Sequence, residues 1–456
     1  MTDASGYDQH NIDYPVSRRG LLKFLAVTGV VSGVGAQSGT AQQEAGEQRW
    51  EFTTEGWVNS SPTIVDETVF FGSRDGSTVY AVDTASGSEQ WQFPAGDFVT
   101  ASANVVDGTV YIGCGGGDAE EANNLYALDA ADGTEQWRFE ADGYFLSAPT
   151  VADNRVLVGN SNGSIYCVDT EDGSIIWEVT DQYSRDVNSS PVVLGETVYI
   201  AKSEGTVYAL EAKSGSEQWS FETGGNPASP TVIDDTLVIG DSEGIVYGIN
   251  VTEGTEQWQF ETGESVRSTP TGADGTVYIG SNDNYLYALD VATGDTHWEV
   301  NLGASVNSPT VTNDHVIVSA EDGTVAAVGI SNGTERWQAT VERIENSSPT
   351  VVDGTVFIGT RGVGSGTLQA IATGTTESSV GSRVQLGTLG HHHTWAQTAS
   401  QTTSEEEAPP DGSNSSDVES NTASQLNEQI LTTLGVVVAA LASIAYVVTR
   451  RLGKSK

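Results

Sequence analysis

A tryptophan recurs at intervals of 39 to 46 residues along most of this 456-residue chain. The eight positions are Trp50, Trp91, Trp137, Trp177, Trp219, Trp258, Trp298 and Trp337. A second marker, usually a proline after a serine, has the same period and lies at Pro62, Asn104, Pro149, Pro191, Pro230, Pro270, Pro309 and Pro349. Such self-similarity indicates a chain built from copies of one supersecondary unit.

Each copy of the repeat predicts four short β-strands. The copy that ends near Trp298 contains the runs Thr-Val-Tyr-Ile-Gly at 276–280 and Tyr-Leu-Tyr-Ala-Leu-Asp at 285–290. Asp-Gly, Ser-Gly and Thr-Gly turns separate the runs, and glycine makes up 52 of the 456 residues. Four strands in about 40 residues describe a propeller blade, so the predicted fold class is all-β.

The incomplete first and last copies predict how the ring closes. The segment around Trp50 supplies only a last strand, whereas residues 348–372 supply only the first three strands. Pairing of the two would give an eight-bladed propeller over residues 49–374 with no free edge. Residues 375–395 match no copy of the repeat and stay unassigned.

Several copies share the pattern Asp-x-x-x-Gly-x-x-x-Trp. It occurs at Asp83/Gly87/Trp91, Asp129/Gly133/Trp137, Asp169/Gly173/Trp177 and Asp290/Gly294/Trp298, while Glu211, Asn250 and Gly329 replace the aspartate elsewhere. This pattern resembles the tryptophan-docking repeat of the pyrroloquinoline-quinone (PQQ) family of β-propellers. The family includes quinoprotein alcohol and glucose dehydrogenases and the propeller lipoprotein of the outer-membrane β-barrel assembly machinery. The resemblance implies that the eight tryptophans are structural and pack between neighbouring blades.

The resemblance also implies which residues an enzyme of this family would need. The family's enzymes hold PQQ against an adjacent cysteine pair, with Ca²⁺ bound by Glu, Asn and Asp and with a catalytic Asp. This chain has only Cys114 and Cys167, which are not adjacent, and it has no Cys-x-x-Cys-His haem motif. We therefore predict a non-catalytic binding or scaffold propeller without a cofactor or catalytic residue. The alternative is a PQQ- and Ca²⁺-dependent dehydrogenase that oxidises alcohols or sugars.

The predicted topology places a candidate binding site on one face of the propeller. Alternating strands bring the segments that lead into the first strands to the same face as the loops between second and third strands. The candidate ligand- or partner-binding residues in these lead-in segments are Trp57, Asn59, Asn188, Arg267, Asn307 and Asn346. The recurring asparagines are either turn residues that bond their own backbone or a polar ring around a central channel. Arg267 is a cation where other copies carry Asn, Thr or Leu.

Two segments contain residue types that bind metals. An insertion at 113–124 carries Asp118, Glu120 and Glu121, whose carboxylates suit Ca²⁺, although their spacing is not that of an EF-hand and a solvated loop is the simpler interpretation. The tract His391–His393 suits a transition metal, or is bystander sequence. The two cysteines fit small buried positions, and a disulfide between them stays open. Away from prolines, Asn-x-Ser/Thr sequons lie at Asn162, Asn250, Asn332 and Asn414.

The chain is strongly acidic, with 62 Asp and Glu against 19 Lys and Arg and a formal net charge of -43. Such a charge excludes an electrostatic nucleic-acid binder, because phosphate contacts need clustered basic side chains. An acidic, lysine-poor surface resembles proteins of extreme halophiles, where a Debye length of ~3 Å at molar salt screens the self-repulsion. The alternative is an acidic surface for cations or a basic partner.

The two ends of the chain predict export and anchoring. Residues 1–41 contain Arg18-Arg19 before a short apolar stretch and resemble a twin-arginine signal peptide. Residues 397–429 form an acidic, Ser/Thr-rich stalk, predicted to be disordered. The uncharged segment 430–449 is long enough to span a membrane, and the basic tail 450–456 places the C-terminus in the cytoplasm. We expect a single-pass membrane protein whose propeller meets an extracellular protein or small ligand, in an oligomeric state that stays open.

Overall fold

The computed structural model describes residues 44–116, 123–180 and 186–380. The chain divides into one unit of residues 1–395 and another of residues 396–456, and all described residues belong to the first. The predicted signal peptide, stalk, membrane span and basic tail therefore lie outside the described residues, as do Asp118, Glu120, Glu121 and His391–His393. Within the described ranges, no helix has the length and apolarity needed to cross a bilayer.

The described residues form 32 strands. In chain order they are β1 (Gln48–Thr54), β2 (Thr63–Val65), β3 (Thr68–Ser73), β4 (Thr78–Asp83), β5 (Glu89–Pro94), β6 (Asn104–Val106), β7 (Thr109–Gly113), β8 (Asn124–Asp129), β9 (Glu135–Glu140), β10 (Thr150–Ala152), β11 (Arg155–Gly159), β12 (Ile165–Asp169), β13 (Ile175–Val179), β14 (Val192–Leu194), β15 (Thr197–Lys202), β16 (Thr206–Glu211), β17 (Glu217–Glu222), β18 (Thr231–Ile233), β19 (Thr236–Gly240), β20 (Ile245–Asn250), β21 (Glu256–Glu261), β22 (Thr271–Ala273), β23 (Thr276–Gly280), β24 (Tyr285–Asp290), β25 (Thr296–Asn301), β26 (Thr310–Val311), β27 (His315–Ser319), β28 (Thr324–Gly329), β29 (Glu335–Thr340), β30 (Thr350–Val352), β31 (Thr355–Gly359) and β32 (Gly366–Ala372).

These strands form eight antiparallel sheets of four strands each, which confirms the predicted eight-bladed, all-β propeller. Blade 1 is β2–β5, each following set of four strands is the next blade, and blade 8 is β30–β32 with β1. The burial pattern follows the position of each strand in its blade. The third strand β24 is buried along its centre, whereas the outer strand β25 alternates between exposed and half-buried side chains. This alternation is expected where only one face of a strand packs on a neighbouring blade.

The N-terminal strand β1 is the outer strand of blade 8, as the phase of the repeat predicts. It pairs antiparallel with β32, so that Trp50 faces Ala370 and Phe52 faces Leu368. The Phe52 ring also lies 5.4 Å from the Tyr80 ring in blade 1. A strand from the beginning of the chain therefore completes the last blade and contacts the first one.

The repeated tryptophans join each blade to the next. In seven of the eight copies the indole N–H donates to a backbone carbonyl of the following blade; for example, Trp258 Nε1 lies 2.8 Å from the Val291 oxygen. The six-membered part of the Trp258 ring packs on Gly294, where an added Cβ would come within 2.7 Å of the ring. Gly294 also has a φ of 74°, which L side chains rarely adopt. The repeat thus requires glycine for both close packing and backbone conformation.

Part of the segment that the sequence leaves unassigned packs between the inner strands of blades 7 and 8. Val380 pairs with Val311 of β26, and the Ser379 hydroxyl lies 3.2 Å from Thr310 Oγ1 and accepts from the Val351 amide at 2.8 Å. In the same segment, Glu377 Oε1 lies 2.9 Å from His315 Nδ1 of β27. Burial raises the pKa of Glu377, but hydrogen bonds from Thr312 and Thr375 and the nearby His315 together hold it below its ordinary value.

Candidate ligand-binding site

A cavity of about 640 Å³ opens where the lead-in segments of all eight blades converge. We call it the channel-mouth cavity, and it includes five of the six candidate residues: Asn59, Asn188, Arg267, Asn307 and Asn346. Its other lining residues are Ser61, Arg74, Thr100, Ser102, Leu146, Ala148, Ser190, Ser229, Pro230, Ser268, Thr269, Asn282, Val306, Ser308, Glu321, Glu345 and Ser348. Five of the six candidate residues therefore meet at one cavity, on the face to which strand alternation brings the lead-in segments.

Serine hydroxyls hold the lead-in segments in place. Ser268 Oγ donates to the Gly280 carbonyl at 2.7 Å and accepts from the Gly280 amide at 2.9 Å, which fixes the lead-in of blade 6 against its second strand. One position later, backbone amides donate across blades: the Ser190 amide donates to Ser229 Oγ at 2.9 Å, and the Ser348 amide donates to Ser61 Oγ at 3.0 Å. The Ser-Ser-Pro signature is therefore a structural element that makes the cavity rim rigid, a role that the sequence analysis missed.

The four recurring asparagines do not hydrogen-bond their own turns in the described part of the chain. Asn307 Nδ2 donates to Ser319 Oγ at 3.3 Å, and Asn346 has a left-handed φ of 64°. Asn59 is only 7% exposed, yet its Oδ1 has no hydrogen-bond partner among the described residues, and the same holds for the buried Oγ1 of Thr100 in the next blade. Buried polar atoms are normally satisfied, so these two oxygens are exceptions among the residues that line the cavity.

Four charged side chains line the cavity, and only the acidic ones are paired. Glu321 accepts from Arg343 Nη2 at 3.4 Å, and Glu345 forms an ion pair with Arg361. Arg267 is exposed and forms no ion pair or hydrogen bond through its side chain within the described ranges. The guanidinium of Arg74 likewise has no acidic partner there.

Trp57, the sixth candidate residue, lies beside the cavity rather than on its lining. The Arg361 guanidinium carbon lies 3.6 Å from the Trp57 ring centroid, and that of Arg74 lies 5.0 Å from it. Arg74 is also 4.8 Å from the Phe98 ring. Arg74 thus makes cation–π contacts with two aromatic rings. No pattern in the sequence predicts these contacts of Arg74.

The cysteines are unsuited to redox or ligand chemistry. Cys114 and Cys167 lie in blades 2 and 3, form no disulfide and are almost fully buried. Burial raises the pKa of each thiol to about 12, so both stay protonated at neutral pH. Over residues 44–116, 123–180 and 186–380, no group of three or more His, Cys, Asp or Glu side chains could hold a metal ion.

The described residues do not fit the quinone cofactor that the fold suggests. A flat tricyclic ring needs an apolar or aromatic surface on which to stack. The apolar residues on the described cavity wall are Leu146, Ala148, Pro230 and Val306, and none of the described lining residues is aromatic. An adjacent cysteine pair and a Ca²⁺-binding cluster are likewise lacking in the described part of the chain.

The eight four-stranded blades and the tryptophan docking define a PQQ-like repeat propeller. The sequence profile of the family described as outer membrane protein assembly factor BamB matches residues 25–121, 121–267 and 242–380. The chain therefore belongs to this PQQ-repeat, BamB-like family of β-propellers.

Solved structures show the same fold at low sequence identity. BamB from Moraxella catarrhalis is 21% identical with a TM-score of 0.61, and the match covers 72% of this chain and 99% of that one. A europium-containing methanol dehydrogenase is 15% identical with a TM-score of 0.61 and coverage of 72% and 93%. A quinohemoprotein alcohol dehydrogenase from Comamonas testosteroni is 16% identical with a TM-score of 0.59 and coverage of 72% and 77%. No curated protein matches the chain.

Proposed function

We propose that this protein is a non-catalytic binding or scaffold propeller at the cell surface, which captures an extracellular protein or small ligand at its channel-mouth cavity. The observation that carries the proposal is the cavity itself. Its wall is polar, its rim is fixed by hydrogen bonds between blades, and it contains buried polar groups without described partners. These are features of a preformed recognition site.

The relatives do not decide between binding and catalysis. One similar structure is named as an assembly factor and others as dehydrogenases, so the shared fold serves both classes. We favour binding because the cavity wall does not suit the quinone. The alternative remains a PQQ- and Ca²⁺-dependent dehydrogenase.

The proposed location rests on the two ends of the chain. A twin-arginine signal in residues 1–41 would export the protein, and the span 430–449 with its basic tail would retain it in the membrane. The acidic composition suits a haloarchaeal type of cell surface in strong salt. In this arrangement the stalk at 397–429 holds the propeller outside the cell.

The experiment uses Asn188→Trp, which fills the cavity from an exposed position without removing a hydrogen bond between described residues. Intact cells that produce the wild type or the variant are treated with an external protease, and the released propellers are used to capture envelope components. We expect protease to release both proteins, because the stalk is outside the cell. We expect Asn188→Trp to lose the saturable capture shown by the wild type, because the indole occupies the cavity.

The matched control is Glu335→Trp, which places the same side chain on the exposed outer strand β29. Both variants should unfold within about 1 kcal/mol of the wild type, as is usual for surface positions. Equal capture by the wild type and Asn188→Trp would contradict the proposed site. A propeller that protease releases only after cell lysis would contradict the proposed location.

A further inference from the structure

The channel-mouth cavity does not share the acidic character of the whole chain, because two arginines balance its two glutamates. The protein carries a formal net charge of -43, yet two arginines without acidic partners among the described residues line this cavity. The two acidic lining residues, Glu321 and Glu345, are each neutralised by a further arginine. The cavity therefore has a surplus of cationic hydrogen-bond donors, which favours an anionic ligand.

The two free guanidinium groups approach the cavity from different sides. Arg74 belongs to blade 1 and Arg267 to blade 6, with blades 7 and 8 between them in the ring. The contacts of Arg74 with the Trp57 and Phe98 rings restrain its guanidinium group before any ligand arrives. Such spacing suits a ligand with two separated acidic groups better than a single small anion.

The remaining wall describes the neutral part of the ligand. Asparagine amides both donate and accept hydrogen bonds, and so do serine and threonine hydroxyls, whereas carboxylate and phosphate oxygens only accept. The asparagine amides and serine hydroxyls on the cavity wall therefore favour a ligand whose groups both donate and accept, which an all-acceptor ligand does not have. Ligand hydroxyl groups meet both needs, and the lack of aromatic side chains on the described wall disfavours a flat aromatic ligand.

We infer that the channel-mouth cavity binds an acidic oligosaccharide, in which sugar hydroxyls contact the asparagine ring and separated carboxylates contact Arg74 and Arg267. This inference rests on the proposed binding function and names the ligand class for the same site. Recognition depends on direct charge-assisted hydrogen bonds rather than long-range attraction, because strong salt reduces the Debye length to ~3 Å.

The test is calorimetric titration of the purified full-length protein in strong salt with four probes. Trigalacturonate carries both carboxylates and hydroxyl groups, whereas maltotriose carries hydroxyl groups alone. Tetraglutamate carries carboxylates on a peptide backbone, and tripolyphosphate carries only acceptor oxygens. We expect trigalacturonate to bind at least about tenfold more tightly than each of the other three, because it alone combines carboxylates for the arginines with hydroxyl groups for the asparagines.

Two variants locate the contact. Arg267→Gln should weaken trigalacturonate binding by about tenfold or more and leave the weak maltotriose binding unchanged, since only the acidic probe uses the guanidinium. Arg267→Lys should recover only part of the loss, because an ammonium group cannot form the bidentate contact. The control Arg138→Gln removes the same charge from the exposed outer strand β9 and should leave both affinities unchanged.

Three results would overturn the inference. The first is maltotriose binding as tightly as trigalacturonate. The second is an equal loss of trigalacturonate affinity in Arg267→Gln and Arg138→Gln. The third is tighter binding of tetraglutamate or tripolyphosphate, which would identify an acidic peptide or a phosphate ligand instead. The Asn188→Trp capture experiment distinguishes failure of the saccharide inference from failure of the proposed binding function. Lost capture without trigalacturonate binding would leave the proposed function intact and reject the saccharide, whereas unchanged capture would reject both.

Discussion

A chain that begins at residue 55 is expected to lose the cooperative folding of the propeller. It lacks β1, the outer strand of blade 8, so β32 would become an unpaired edge. It also loses the contact of Phe52 with Tyr80 and the hydrogen bond from Trp50 to the Thr84 carbonyl, which join blade 8 to blade 1. An open ring with an exposed strand edge is prone to aggregation.

Thermal unfolding and light scattering would measure this effect. The matched control is a chain that begins at residue 44, which keeps β1. The point variant Trp50→Ala, which keeps the strand but removes the docking indole, should lower the free energy of unfolding by about 3 kcal/mol. If the chain that begins at residue 55 melts like its control and stays monodisperse, β1 does not close the ring.

The second large effect on stability concerns the glycine on which a docking tryptophan packs. Gly294 and Gly275 lie in the same blade with φ angles of 74° and 73°. A Cβ on Gly294 would lie 2.7 Å from the Trp258 ring, whereas a Cβ on Gly275 would meet nothing within 4 Å. Alanine substitutions at these two glycines therefore separate the energetic cost of backbone strain from the cost of losing tryptophan docking.

We expect Gly275→Ala to lower the free energy of unfolding by about 1 kcal/mol, the usual strain of a left-handed residue with a side chain. Gly294→Ala should lower it by a further 1–3 kcal/mol or so, because the indole must move away from the blade that it joins. Urea unfolding at constant salt measures both. Equal losses in the two variants would show that tryptophan docking contributes nothing beyond the turn conformation.

The sequence predicted the propeller because its physical requirements recur along the chain. Seven of the eight repeated tryptophans pack on a glycine of the next blade, and tight turns join the strands, so these requirements leave a visible period in the sequence. The phase of the incomplete copies then predicted that β1 completes blade 8. The packing of Ser379 and Val380 between blades 7 and 8 occurs once, so no repeat pattern could reveal it.

The sequence predicted that the recurring asparagines and Arg267 share a face, because strand alternation determines which loops lie together, and the structure brings them to one cavity. It did not predict the electrostatics of that cavity. The cation–π contacts of Arg74 with Trp57 and Phe98, and the ion pairs that neutralise Glu321 and Glu345, join different loops. Such contacts depend on side-chain directions that no local pattern contains.

The central claim is that this PQQ-repeat propeller binds a ligand and does not oxidise alcohols or sugars. The most direct measurement adds PQQ and Ca²⁺ to the purified full-length protein in strong salt and records quinone absorbance and dye-linked oxidation. We predict no stoichiometric quinone and no turnover, because the described cavity wall offers no stacking surface, cysteine pair or Ca²⁺-binding cluster. Tight quinone uptake with oxidation of an alcohol or sugar would contradict the claim.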